Sequence, residues 1–468
     1  MKASAIIAIS ILCSCARGGF PPGFLFGTAI AGFQVDMGCP TVPAAQCEDR
    51  NSDWYAWITR PELLSDPSTY LAGTPPAQGP GFFELYPQDL ARAAGELGSN
   101  ALRLSIEWSR VFPVSTIGVP DLHSVASPAA LAYYHAIFAA MKAKGLTPLV
   151  TLNHYTLPSW LHDAYGCHQD LQRCSPRGWL EPAAIDEAAR YAGFVAGEFP
   201  EVGLWATLNE PFTAVVLAGY LLPSADRTNP PGVSLQWTEA KAVYGALVHA
   251  HARMYDAAKA AAPHAQVGIV YNLEAVTAKN AARDAQAARD FDYVTNRAFL
   301  DAIVHGDFDD LTGHIVHDDS LAGLDFIGVN YYYRATVESA GGQLFADQTP
   351  YVTFDPFTLA LTSDASGLGE VLGIARSFGK PIYITETGVG DPDDTGAGAQ
   401  WIADTFAQTR GAIARGADVR GYFYWTLMDN YEWNHGMTLK YGLYAVDPND
   451  PSKARVPRAK AVAAFLKR

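Results

Sequence analysis

Two glutamates stand where apolar, strand-like stretches of the chain stop. Glu210 closes the run from Leu204, and Glu386 lies one residue before the end of the run Pro381 to Thr387. Two carboxyl groups facing one pocket can cleave a glycosidic bond, one protonating the leaving oxygen while the other handles the anomeric carbon. That reaction needs no metal and no cofactor. A metal site built from His154, Glu210 and Glu386 is the rival on residue type, but no tight ligand motif such as H-E-x-x-H accompanies it. A Ser-His-Asp reading has no G-x-S-x-G elbow to rest on.

The elements that would carry these glutamates repeat along the chain. Short apolar, β-branched or aromatic runs occur at Phe24 to Ile30, Ala101 to Trp108, Thr147 to His154, Leu204 to Glu210, Gln266 to Leu273, Leu324 to Tyr332, Pro381 to Thr387 and Gly421 to Leu427. Between them lie Ala-rich stretches with near-helical apolar spacing, at Pro128 to Lys144, Pro182 to Phe199, Thr238 to Ala262 and Ala399 to Arg415. Strand followed by helix, repeated, predicts a parallel sheet, and eight such units predict a single α/β domain, a (β/α)8 TIM barrel with long βα loops. The Pro- and Gly-rich segments Gly73 to Gly81, Pro223 to Gly232 and Asp391 to Gly398 read as loop turns within that domain.

In a barrel all strand C-termini converge on one mouth. The residues ending the eight runs are Gln34 just past the first, Trp108, His154, Asn209 with Glu210, Asn272 with Glu274, Asn330 with Tyr331 to Tyr333, Glu386, and Trp425 followed by Asp429, Glu432 and Trp433. A lone Asn or His at a strand end commonly anchors a loop. Two glutamates among Gln, His, Asn, Tyr and Trp suit a sugar pocket instead.

Composition narrows the partners. The 468 residues are 49% hydrophobic and 17% charged, enough apolar area for a large core and unlike a disordered chain. Lys plus Arg is 33 against 48 for Asp plus Glu, and the balance of −15 argues against nucleic acid and anionic lipid. Met1 and Lys2 precede the apolar run Ala3 to Leu12 and the polar stretch Ala16 to Gly19. At about ten apolar residues that run fits a signal peptide and is too short to span a bilayer. Residues 1–15 therefore read as an export leader and residues 16–468 as the folded domain. Leu12-Cys13-Ser14-Cys15 resembles a bacterial lipoprotein box that would lipidate Cys15, with plain cleavage nearby as the alternative. The only membrane association expected is through that anchor. Beyond the leader, Cys39, Cys47, Cys167 and Cys174 form two close pairs. In an oxidising compartment each pair can close a short loop, whereas spacings of eight and seven do not match the knuckles of structural zinc.

From about Phe20 to the C-terminus the chain resembles glycoside hydrolase family 1, the β-glucosidase and β-galactosidase family, including its bacterial and archaeal β-glycosidases. Thr207-Leu208-Asn209-Glu210-Pro211 is similar to the family's T-x-N-E-P acid/base segment, and Ile384-Thr385-Glu386-Thr387-Gly388 to its I-T-E-N-G nucleophile segment, with Thr387 where the family usually has Asn. Phe24 to Gln34, Arg103 to Arg110, Thr151 to His154, Trp425 to Trp433 and Tyr441 to Tyr444 extend the match.

The resemblance implies Glu386 as the nucleophile, ionised and supported by Arg103, Tyr332 and Asn330, and Glu210 as the acid/base. Glu210 must hold its proton while Glu386 is charged, and apolar surroundings with a second carboxylate nearby favour that form. Gln34, His154, Asn209, Tyr332, Trp425, Glu432 and Trp433 are implied to bind a nonreducing terminal sugar, Asn209 at its 2-hydroxyl. Glu432 beside a sugar 6-phosphate would be repulsive, so the implied substrates are small neutral β-glycosides or oligosaccharides. The reading is a retaining exo-β-glycosidase, foremost a β-glucosidase that also accepts β-galactosyl or β-fucosyl residues. Its alternatives are a noncatalytic sugar-binding barrel and an endo-acting β-glycanase.

Overall fold

The computed structural model describes residues 19–342 and 349–468. The leader over residues 1 to 15 and the lipidation site Cys15 lie outside the described residues. Each apolar run read from the sequence becomes a barrel strand: β1 (Leu25–Ala29), β2 (Ala101–Ser105), β3 (Thr147–Asn153), β4 (Leu204–Asn209), β5 (Gln266–Asn272), β6 (Ile327–Tyr331), β7 (Ile382–Thr387) and β8 (Val419–Trp425). They pair in parallel in chain order, and β1 closes the ring on β8 with Leu25 opposite Gly421 and Ala29 opposite Trp425. Helices return the chain on the outside: α1 (Phe82–Ala91), α2 (Pro128–Ala143), α3 (Ala184–Glu198), α4 (Trp237–Ala261), α5 (Ala298–His305), α6 (Leu368–Ser377), α7 (Ala397–Ala414) and α8 (Ala459–Phe465). Local chemistry sets their starts. In α2, for example, the Ser127 side chain accepts the Ala130 N–H and Pro128 fills the first helical position, where no N–H is needed.

Strand alternation divides the core into two layers. Outward residues such as Leu102, Leu104, Val150, Leu152, Ile327 and Val329 pack against the helices. Inward residues such as Ala101, Leu149, Val270, Tyr383, Phe423 and Trp425 fill the barrel. A third apolar cluster roofs the mouth, where Phe33, Trp54 and Trp57 of the β1 loop meet Tyr155 of the β3 loop and Tyr431 and Trp433 of the β8 loop. Disulfides Cys39–Cys47 and Cys167–Cys174 close turns within the β1 and β3 loops. Asp53 ties those two loops together, accepting the Leu157 N–H at 2.9 Å and bonding His162 Nδ1 at 2.7 Å.

The barrel holds large rings because glycines face them. A Cβ at Gly268 of β5 would stand 2.5 Å from the Phe326 carbonyl oxygen and 2.6 Å from the Phe326 ring. Backbone cannot yield as a flexible side chain can, so overpacking there is costly. Gly268→Ala is expected to destabilise the barrel by about 1–3 kcal/mol in chemical unfolding, and an unchanged denaturation midpoint would refute this account of the interior.

Candidate active site

Both glutamates reach the mouth through irregularities in their strands. In β4, Trp205 belongs to the outer layer and Thr207 Oγ1 bonds His251 of α4 at 2.6 Å, so regular alternation would send Asn209 outward as well. Instead the β4–β5 register slips between Ala206 and Asn209; Leu208 stays in the outer layer and Asn209 turns inward. Glu210 follows at φ 45°, in the left-handed region that side chains other than glycine seldom occupy. Its N–H is held by the Val270 carbonyl at 2.9 Å, and Pro211 opens the next helical segment. In β7 the register with β6 slips between Ile384 and Glu386. Thr385 and Glu386 then both face the mouth, while Thr387 turns out to accept the Trp401 indole N–H at 3.0 Å. Thr387 thus anchors α7 from outside the pocket.

Arg103, on the inward face of β2 and 1% exposed, fixes the arrangement. It donates through Nε to Thr151 Oγ1 at 3.1 Å, through Nη1 to Glu386 Oε1, and through Nη2 to Asn209 Oδ1 at 2.6 Å. Because a guanidinium only donates, Asn209 must present its oxygen there and its amide hydrogens elsewhere. Those go toward His154 Nε2 at 3.2 Å and the Tyr155 hydroxyl at 3.0 Å. His154 Nε2 therefore accepts, which leaves its hydrogen on Nδ1, a buried atom with no partner in the protein. Tyr155 in turn donates to Glu210 Oε2 at 2.6 Å. Asn330 Nδ2 donates to Glu210 Oε1 at 2.7 Å, and Tyr332 donates to Glu386 Oε2 at 2.6 Å.

On the β1 and β8 side, Gln34 Nε2 bonds the Tyr431 carbonyl at 3.0 Å and Glu432 Oε2 at 3.2 Å, and Asn430 Nδ2 reaches the same Glu432 oxygen at 2.8 Å. Arg227 Nη2 faces Glu432 Oε1 at 3.6 Å. Gln34 Oε1 is buried without a partner in the protein. Buried polar atoms are nearly always bonded in folded proteins. An unmatched acceptor on Gln34 and an unmatched donor on His154, beside a carboxylate, offer the alternating partners that sugar hydroxyls take. The Trp425 and Trp433 rings lie 6.0 and 5.9 Å from the His154 ring, inclined to it by 22° and 20°.

Burial pushes Glu386 up to about 7, and the neighbouring Glu210 carboxyl adds to the rise against the pull of Arg103 and Tyr332. Desolvation thus opposes the charge that the nucleophile needs, and Arg103 and Tyr332 work against that cost. The groups that stabilise charge, Arg103 and Tyr332, both serve Glu386. Burial, with the fields of Arg103 and Arg227, holds His154 well below the usual imidazole range, so it is neutral.

The structure brings Gln34, Arg103, His154, Asn209, Glu210, Asn330, Tyr332, Glu386, Trp425, Glu432 and Trp433 to one mouth. Asn330 is a correction in role. Thr385 Oγ1 donates to Asn330 Oδ1 at 2.8 Å, which turns the amide hydrogens toward Glu210 and Asn209, so Asn330 supports the acid/base side and not the nucleophile. Trp108 leaves the mouth to stack on Tyr191 of α3 at 5.0 Å, and Asp429 is bound to Arg458 at 2.8 Å. Tyr155, Arg227 and Asn430 were not foreseen. Tyr155 immediately follows His154 and could have been found as a strand-end neighbour, but Arg227 lies in the Pro223 to Gly232 turn, where no spacing marks it.

With this geometry in view, comparison with known proteins is direct. The family model for Glycosyl hydrolase family 1 matches residues 16–467. The chain is 32% identical to a β-galactosidase of Pyrococcus woesei over 95% of its own length and 96% of the relative's. It is 32% identical to a β-galactosidase of Saccharolobus solfataricus over 92% and 91% of the two chains. The crystal structure of the β-glycosidase from Thermosphaera aggregans superposes with a TM-score of 0.82 at 27% identity, over 96% of each chain. A match running from the first loop to the last helix takes in every strand that carries a site residue, and the chain is accordingly a glycoside hydrolase belonging to glycosyl hydrolase family 1.

Proposed function

We propose that the protein is a retaining exo-β-glycosidase that removes terminal nonreducing β-D-glucosyl residues and also accepts β-galactosyl or β-fucosyl residues. The observation that carries this reading is the unbroken bonded path from Glu386 through Arg103, Asn209 and Asn330 to Glu210. It supports two carboxyls held with fixed orientations in one pocket, as a nucleophile paired with an acid/base requires.

In the first step a Glu386 oxygen bonds the anomeric carbon while Glu210 transfers its proton to the departing oxygen, and the leaving group departs as an alcohol. Tyr155 can remain a donor throughout, since a protonated Glu210 keeps acceptor capacity for the phenol while its own proton faces the departing oxygen. With the glycosyl ester formed, Glu386 loses its charge and Glu210 becomes the base that takes a proton from water. The hydroxyl adds to the anomeric carbon, the ester bond breaks, and the configuration is that of the substrate. The Gln34, His154 and Glu432 cluster favours a terminal sugar bound by its own hydroxyls, a site that rejects analogues lacking them. The archaeal relatives' names as β-galactosidases favour testing galactosides alongside glucosides.

We further infer that the protein is exported and held at the cell envelope through a lipid on Cys15. Two disulfides in the folded domain support an oxidising destination, and no helix of the described residues is long and apolar enough to cross a membrane. Mass spectrometry of the native N-terminus should find an acylated Cys15; an unmodified cleaved end would remove the anchor.

On a nitrophenyl β-glucoside, proton NMR should detect the β-anomer first, and Glu386→Gln and Glu210→Gln should each lose about 10³-fold or more in kcat with that substrate class. First release of the α-anomer, or a mere twofold loss in either variant, would overturn the assignment. Tyr332→Phe removes a donor that favours the charged Glu386, so its proton should be harder to remove. The acid limb of the kcat/KM profile should then move to higher pH by about half a unit to one unit. A limb that stays in place or moves down would contradict the role given to this phenol.

A further inference from the structure

The proposed mechanism gives no task to Glu107. This residue stands just beyond the end of β2 and is 1% exposed. Arg110, the nearest cation in sequence, pairs with Asp36 at 3.2 Å. The Glu107 backbone is held without its carboxyl: the N–H donates to the Tyr134 hydroxyl of α2 at 2.9 Å, and the carbonyl accepts the Arg110 and Val111 N–H groups, each at 3.1 Å. Burial pushes the carboxyl up to about 7 against the pull of the Ser105 and Thr156 hydroxyls, and the nearby Asp49 and Asp36 charges add to the rise. An acid in such a place is costly to keep, and the backbone around it does not call for one.

The two hydroxyls lead to two of the loops that build the mouth. Ser105 Oγ donates to Glu107 Oε1 at 2.6 Å and accepts the Gly32 N–H at 2.8 Å. The β1 loop lies directly on the carboxyl there, since a Cβ at Gly32 would stand 2.9 Å from Glu107 Oε1, and Gln34 follows in the same helical turn, Gly32–Asp36. On the other side Thr156 Oγ1, from the β3 loop, donates to Glu107 Oε2 at 2.5 Å. Each carboxyl oxygen thus receives one hydroxyl donor, an arrangement that suits a group accepting at both oxygens.

Thr156 is the residue after Tyr155, whose hydroxyl donates to Glu210. Tyr155 holds φ at 74°, in the left-handed region where a bulky side chain stays only if its surroundings hold it. Two bonds do so at the next residue: the Asn153 amide donates to the Thr156 carbonyl at 2.8 Å, and the Thr156 side chain is fixed on Glu107. Asn153 is the last residue of β3 and Glu107 is carried by β2, so the turn that presents the Tyr155 phenol is braced from two strands. Misplacing a reacting group by about 1 Å can cost about 10²-fold in rate, so such a brace has a chemical consequence.

We infer that Glu107 is a positioning residue: through Thr156 it sets the Tyr155 phenol against Glu210 and so aims the acid/base carboxyl at the leaving oxygen. The inference rests on the glycosidase reading and deepens it, adding to the acid/base assembly a residue that acts only through other side chains. Its signature is a dependence on the leaving group, because a phenol needs the proton that Glu210 gives whereas a dinitrophenolate departs without it. Wild type and Glu107→Leu, which removes both acceptors at similar volume, are compared on phenyl β-glucoside and dinitrophenyl β-glucoside. Glu107→Leu should lose roughly 10-fold or more in kcat/KM on the phenyl glucoside and less than about threefold on the dinitrophenyl glucoside. Thr156→Val, which severs only the link to the β3 loop, should show the same split, and it is read alone if the leucine variant does not fold. Added to Tyr155→Phe, either substitution should cost less than about twofold further on the phenyl glucoside, since the path ends at that phenol. Equal losses on both glucosides would mean a general defect of the fold, no loss would mean that the brace is idle, and a full further loss beside Tyr155→Phe would mean a route that bypasses the phenol; each overturns the positioning role while wild-type turnover leaves the glycosidase reading standing. Wild type that turns over neither glucoside would fail the glycosidase reading itself.

Discussion

The site depends on one buried cation. Arg103 has no solvent to share its charge with, and its three-way fork spans β2, β3, β4 and β7 at the level where those strands end. A charge removed from water requires both a counter-charge and full hydrogen bonding, and Glu386, Asn209 and Thr151 supply them. The consequences run outward in a fixed order. Because guanidinium cannot accept, Asn209 has one amide orientation; His154 then has one tautomer, and the Tyr155 hydroxyl is directed at Glu210. A single donor-only group thus orients His154 and the Tyr155–Glu210 bond, none of whose atoms it contacts.

The same cation explains why two acids can coexist at the bottom of an apolar barrel. Burial alone disfavours charge on Glu386. Arg103 and Tyr332 stabilise negative charge on Glu386 against that burial, while Glu210 receives only neutral donors from Asn330 and Tyr155. Two environments a few side chains apart give two carboxyls different tasks. His154, neutral because it is buried beside cations, adds a polar contact without adding charge.

Around this rigid centre the long loops build a roof. Phe33, Trp54, Tyr155, Tyr431 and Trp433 come from three separate βα loops and pack into one cluster, so the walls of the pocket are as apolar and as buried as the core beneath. Disulfides within two of those loops and the Asp53 links between them hold the roof in place. Function-bearing loops on a rigid scaffold are the usual division of labour in this architecture.

Much of this was legible in the residues themselves. Apolar runs of strand length, alternating with Ala-rich helical stretches, indicated parallel strands buried on both faces, and their number, eight, indicated a single barrel. Glu210, Glu386, Gln34, His154 and Glu432 could be placed at the mouth simply because they end or follow those runs. What sequence periodicity could not yield was orientation. By strict alternation Asn209 belongs with Trp205 and Thr207 on the outer face; only the slipped registers in β4 and β7 turn Asn209 and Glu386 inward, and those slips depend on neighbouring strands far away in the chain. Asn330 was placed beside the wrong glutamate for the same reason, since its amide is turned by Thr385 of another strand. Arg227 was invisible because a turn-rich loop carries no period. Sequence determined which residues arrive at the mouth; the tertiary structure decided which atoms face one another there, because hydrogen-bond direction is settled only when all partners are present.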